Sequence, residues 1–94
     1  MPPASEVHHE SAVFSGHVQG VGFRYTVLHV AREFDVAGHV QNLPDGRVCV
    51  EVEAEKDEVD RFIAEIGERM HGFIRLVERT GGRRARQFDG FHIR

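Results

Sequence analysis

The sequence has a single cysteine, Cys49, and no tryptophan among its 94 residues. One cysteine cannot form an intrachain disulfide, so the chain differs from the small, bridge-stabilised domains of secreted proteins. The sequence also lacks an apolar run long enough to cross a membrane, and its first residues lack the basic start and apolar centre of a signal peptide. We therefore expect a cytoplasmic protein that does not associate with membranes.

No charge of either sign is in large excess, because 12 basic and 15 acidic side chains leave a formal net charge of −3. Such a chain does not attract nucleic acid as a whole, so any anion has to be bound by a local site. The seven histidines show no zinc-type spacing, and one cysteine cannot supply a thiolate cluster. We predict no nucleic-acid partner, no metal and no cofactor.

The overall composition is that of one small globular domain. A hydrophobic fraction of 40% over 94 residues supports a single modest core. We expect a flexible tail over residues 1–7 and one domain over residues 8–94. We expect a monomer, since no apolar stripe is left over once the core is filled.

Hydrophobic periodicity predicts the order strand, helix, strand, strand, helix, strand, followed by a short closing strand. The strands are predicted at 10–18, 38–43, 47–54, 73–80 and 88–93, and the first helix at 24–36. The second helix is expected to be capped by Asp57 and ended by Gly72. This order predicts an α+β, ferredoxin-like split βαβ sandwich (βαββαβ) with an antiparallel sheet and two helices on one face.

Two surface features follow from the same patterns. Alternation in the third strand places Val48, Val50, Val52 and Ala54 on the covered face and predicts a solvated face for Cys49, Glu51 and Glu53. Gly81 and Gly82, with Arg83, Arg84 and Arg86, are predicted as a solvated loop, although such a cluster could also bind an anionic partner.

The segment 18–24 reads Val-Gln-Gly-Val-Gly-Phe-Arg and joins the first strand to the first helix. Gly20 and Gly22 can adopt positive φ, so the backbone can turn several N–H groups towards one anion. Arg24 can donate two parallel hydrogen bonds to phosphate oxygens, next to the start of a helix. The pattern indicates a site for a dianion, but the same glycines also suit an ordinary tight turn with a solvated arginine. No Lys followed by Ser or Thr is present, which argues against a P-loop.

Asn42 ends the second strand, immediately before the turn at Pro44, Asp45 and Gly46. In a split βαβ sheet, a residue at this position can face the glycine loop. Asparagine is also common where it only serves a turn. The sequence leaves both possibilities open.

Three stretches together, Gly-His-Val-Gln-Gly-Val-Gly-Phe-Arg at 16–24, Gly-His-Val-Gln-Asn at 38–42 and Asp-Gly-Arg-Val at 45–48, resemble the acylphosphatase family. The resemblance extends over roughly residues 10–94. It implies metal-free hydrolysis of acyl phosphates to a carboxylate and inorganic phosphate, with Arg24 as the essential arginine and Asn42 holding the attacking water. The implied phosphate-binding residues are Gln19, Gly20, Val21, Gly22, Phe23 and Arg24. His39, in place of a large aromatic residue, and Ala54, in place of a frequent glycine, depart from the family pattern.

Two other functions fit the predicted fold. RNA-recognition domains share it, but they stack bases on aromatic residues of the central strands, and the third strand here has none. A regulatory domain that binds a phosphorylated metabolite without hydrolysing it is the stronger alternative. Since the chain stops at Arg94 without a downstream domain, we expect an independent enzyme.

Overall fold

A computed structural model describes residues 6–94, which form five strands and two helices. The strands are β1 (Glu6–Gly16), β2 (Ala37–Asn42), β3 (Val48–Ala54), β4 (Ile74–Ala85) and β5 (Phe91–Ile93), and the helices are α1 (Phe23–Ala31) and α2 (Lys56–Arg69). The predicted order and the ferredoxin-like α+β arrangement are confirmed. Residues 1–5 of the expected tail lie outside the described range, and its last two residues, Glu6 and Val7, belong to β1.

The strands form one sheet in the order β4-β1-β3-β2-β5. Neighbouring strands are antiparallel except β2 and β5, which are parallel, so the prediction of a purely antiparallel sheet was wrong. β4 and β5 lie at opposite edges, and the chain between them has to cross the sheet before β5 can pair. Hydrophobic periodicity does not reveal such a crossing, because the crossing segment has no period of its own.

Both helices cover the same face of the sheet, as predicted. Val27 and Val30 of α1 and Phe62 and Ile66 of α2 are fully buried in one core with the even-numbered residues of β3. This core holds the start of α1 next to the ends of β1 and β2, where the glycine loop lies.

The other face of the sheet is partly covered by the crossing segment 86–90. The Glu53 carboxylate, predicted to be solvated, is fully buried there. One of its oxygens accepts hydrogen bonds from the backbone N–H groups of Gln87, at 2.8 Å, and Phe88. Its other oxygen lies 3.5 Å from the guanidinium of Arg84. The strand pattern assigned Glu53 to the correct face, but the tertiary path of the chain buries that face locally.

Two predicted boundaries were also wrong. β4 continues through Gly81 and Gly82, which pair with Glu10 and His9, so Arg83 and Arg84 lie in a strand and not in a loop. A Cβ at Gly81 would lie 2.3 Å from the carbonyl oxygen of His9, so this glycine permits close strand approach instead of ending the strand. α2 begins one residue earlier than Asp57, and its N-cap is Glu55, which makes no side-chain capping bond.

Candidate functional site

The glycine loop connects β1 to α1 through two left-handed residues. Gly20 has φ +77° and Gly22 has φ +79°, and Gly22 is the N-cap of α1. Any other residue type is disfavoured in this region, which explains why the loop needs glycine at both positions. The two turns bring the chain directly into the first turn of α1.

Backbone donors are left free along this loop. Within residues 6–94, the N–H groups of residues 19 to 25 donate to no backbone carbonyl, and the first helical bond here runs from the Thr26 N–H to the Gly22 carbonyl at 3.0 Å. No side chain caps the start of α1. Free N–H groups at a helix N-terminus, together with the positive end of the helix dipole, form a binding site for an anion.

Arg24 adds a guanidinium to the same place. Its side chain is half-buried, and it has no carboxylate partner in the described part of the chain, whereas Arg47 and Arg69 pair with carboxylates at 2.8 and 2.6 Å. An unpaired guanidinium keeps its hydrogen-bond donors available for a ligand.

Arg24 and Asn42 line one concavity of about 130 Å³. Asn42 is exposed at the last position of β2, and its backbone pairs with Val48 of β3. β1 and β2 both pair antiparallel with β3 and so run in the same direction, which places the end of β2 and the loop that follows β1 at the same end of the sheet. The other residues of the concavity are Val18, Gly20, Gly22, Phe23 and Tyr25. Asn42 therefore faces the glycine loop, and the structure brings the two predicted catalytic side chains together.

The side chains of Gln19 and Val21 do not line this concavity. The Gln19 amide nitrogen Nε2 donates to the carbonyl oxygens of Leu43, at 2.8 Å, and Arg47, at 2.9 Å. Val21 packs against the hydrophobic core. Only the backbone N–H groups of these two predicted residues are therefore free to contact an anion.

Sequence reasoning missed two features of the site that depend on side-chain direction. Nothing in the sequence indicates that Gln19 reaches across to the β2–β3 turn. Tyr25, 64% exposed, lies on the rim of the concavity, and its position directly after Arg24 was the available signal.

Between residues 6 and 94, no three His, Cys, Asp or Glu side chains are grouped closely enough to hold a metal ion. None of the helices in that range is both long and apolar enough to span a bilayer.

Comparison with known proteins gives consistent matches. The acylphosphatase family model matches residues 10–93. The acylphosphatase of Methanospirillum hungatei is 42% identical over 66 residues, covering 70% of this chain and 72% of that protein. That of Corynebacterium glutamicum is 36% identical over 87 residues, covering 86% and 90%. Further relatives match over only 53% to 58% of their own length. A crystal structure of acylphosphatase from Bacillus subtilis matches with a TM-score of 0.82 at 27% identity, covering 92% of this chain and 97% of that one.

Proposed function

This chain belongs to the acylphosphatase family, and we propose that it hydrolyses acyl phosphates to a carboxylate and inorganic phosphate. The observation that carries the proposal is the single concavity shared by the glycine loop, Arg24 and Asn42. Free N–H groups, an unpaired guanidinium and a primary amide are the groups that this reaction uses.

The loop and Arg24 bind the phosphoryl group. The N–H groups of residues 19 to 24 surround its oxygens, and Arg24 donates two parallel hydrogen bonds to them. The N-terminus of α1 contributes a partial positive charge at the same point. Together these groups compensate a dianion without a metal ion.

Asn42 orients the attacking water. Its amide cannot accept a proton at neutral pH, but its oxygen can accept a hydrogen bond from water and direct that water in line with the phosphorus. The water oxygen forms a bond to phosphorus while the bond from phosphorus to the acyl oxygen breaks. The carboxylate leaves with the electron pair, and the proton of the water passes to a phosphoryl oxygen. Because a carboxylate is a weakly basic leaving group, no general acid is needed.

Positioning and electrostatic stabilisation therefore provide the rate enhancement. Loss of one preorganised donor at a developing oxyanion typically costs about 3 to 4 kcal/mol, on the order of a thousandfold in rate. We expect Arg24→Ala to reduce kcat/KM for benzoyl phosphate by about that factor while the protein stays folded, because Arg24 has no partner in the described structure.

The experiment compares Arg24→Ala and Asn42→Ala with matched controls. Arg32→Ala removes an exposed arginine at the opposite end of α1, and Gln41→Ala removes the side chain next to Asn42 on the other face of β2. Phosphate release from benzoyl phosphate is measured for each variant, with circular dichroism to verify folding. Wild-type turnover by Arg24→Ala or Asn42→Ala would remove that residue from the mechanism.

Two further results separate this proposal from its alternatives. Loss of activity on treatment with a chelator would contradict the metal-free mechanism. Phosphate binding without hydrolysis of benzoyl phosphate or carbamoyl phosphate would instead favour a regulatory, ligand-binding domain.

A monomer in the cytoplasm is part of the same proposal. The single cysteine, Cys49, cannot form an intrachain disulfide, which fits a reducing compartment. Size-exclusion chromatography with light scattering tests the oligomeric state, and a dimer at micromolar concentration would contradict the proposed monomer.

A further inference from the structure

The concavity is too small to enclose an acyl phosphate with a large acyl group such as benzoyl. Its volume is about 130 Å³, whereas pockets that bury drug-sized ligands usually measure about 300 to 1,000 Å³. When the phosphoryl group is bound by the loop, as in the proposed function on which this inference rests, the acyl group has to extend beyond the rim.

Tyr25 is the exposed apolar side chain on that rim. Val18 and Phe23, which also line the concavity, are only 1% and 2% exposed and belong to the core. Arg24 and Asn42 are polar. Among the residues that line the concavity, Tyr25 is therefore the only large apolar side chain that is exposed.

Helix geometry explains why this ring points outwards. Residues two positions apart on an α-helix are about 200° apart around its axis, so Tyr25 points away from the core that Phe23 enters. It lies in the first turn of α1, next to the free N–H groups. The other large apolar side chains that are exposed within residues 6–94, Phe73 and Leu76, do not line the concavity.

We propose that Tyr25 is the specificity-determining residue for the acyl group of the substrate. Its ring packs against aromatic or extended apolar acyl groups, so the enzyme favours benzoyl-type phosphates over acetyl or carbamoyl phosphate. The phosphoryl group makes no contact with this ring, so Tyr25 does not affect the binding of inorganic phosphate.

Kinetics with two substrates test the proposal. kcat/KM for benzoyl phosphate and acetyl phosphate is measured for the wild type, Tyr25→Ala, Tyr25→Phe and the control Leu76→Ala, which removes an exposed apolar side chain elsewhere. We expect Tyr25→Ala to lose about 3- to 10-fold with benzoyl phosphate, the range of a single aromatic contact, and less than about 2-fold with acetyl phosphate. Tyr25→Phe and Leu76→Ala keep the wild-type preference, and inhibition by inorganic phosphate is the same in all four proteins.

Equal losses with both substrates, or no loss with either, would overturn the role of Tyr25. A binding measurement keeps this test independent of hydrolysis. Calorimetry with benzylphosphonate and methylphosphonate should show a preference for benzylphosphonate in the wild type that Tyr25→Ala loses. If the wild type hydrolyses neither substrate, the proposed function fails, and the two phosphonates still decide the role of Tyr25.

Discussion

Replacing Gln19 with alanine should lower the turnover of acyl phosphates more than it weakens their binding. Gln19 Nε2 donates to the carbonyl oxygens of Leu43, at 2.8 Å, and Arg47, at 2.9 Å, and so connects the glycine loop to the turn that follows Asn42. These long-range hydrogen bonds connect the loop that leads to Arg24 with the turn that follows Asn42. We expect their loss to let Asn42 move relative to Arg24 while the loop itself keeps its conformation.

The magnitude follows from the number of bonds. Two hydrogen bonds of about 0.5 to 1.5 kcal/mol each amount to about 1 to 3 kcal/mol of stability. The lower end applies here, because both carbonyls keep a second donor within the turn: the Leu43 N–H bonds to the Arg47 carbonyl at 2.8 Å and the Gly46 N–H to the Leu43 carbonyl at 3.2 Å. A displacement of about 1 Å in a reacting group can cost about a hundredfold in rate. We expect kcat to fall about 10- to 100-fold and KM to change less than about 3-fold.

The assay is steady-state hydrolysis of benzoyl phosphate, with urea unfolding measured in parallel. Gln19→Glu has a side chain of almost the same size but places a carboxylate oxygen where the amide donor stood, so it should be at least as impaired as Gln19→Ala. Gln41→Ala is the matched control, since it removes a glutamine side chain from neighbouring β2 without removing this connection. A rise in KM with unchanged kcat would show that the Gln19 side chain binds substrate directly. Unchanged kinetics with reduced stability would leave it a purely structural role. Either result would refute the reasoning.

Two further predictions concern stability against pH. Burial of His39, with Arg94 beside it, lowers the pKa of its imidazole below the usual 6.5 despite the opposing charge of Glu51. Since the unfolded chain then binds the proton more readily than the folded one, the free energy of unfolding should fall as the pH drops through 6.5. Urea unfolding of the wild type and His39→Phe between pH 5 and 8 should show a weaker pH dependence in the variant. Burial raises the pKa of Glu10, but hydrogen bonds from Arg79 and a neighbouring histidine outweigh it, so the net pKa lies below the usual 4.5. The Glu10 carboxylate should therefore stabilise the fold above pH 4.5 and lose this effect as the pH falls below 4.5. In urea unfolding between pH 3 and 7, Glu10→Gln should be less stable than the wild type at pH 7, and its free energy of unfolding should depend less on pH. An equally steep pH dependence in Glu10→Gln would contradict the assignment.

Local patterns in the sequence predicted most of the elements that build the site. The apolar stripe of α2 and the alternation in β3 depend on residues a few positions apart, and each has a period that identifies the element. Gly20 and Gly22 have the positive φ that their residue type permits. Arg24 could be selected as a candidate because its residue type suits phosphate binding, whereas the water-holding role of Asn42 was implied by the family resemblance, and both roles remain proposals.

By itself, then, the sequence determined the order of strands and helices and the face that each presents to the core. It also supplied the two candidate side chains of the site, Arg24 and Asn42. Only the tertiary structure decided the parallel pairing of β5, the burial of Glu53 beneath residues 86–90, and the connection from Gln19 to the turn after Asn42. The physical reason is the range of the interactions. Secondary structure follows from steric and hydrophobic preferences between near neighbours, whereas these three features depend on groups 24 or more residues apart, which meet only in the folded chain.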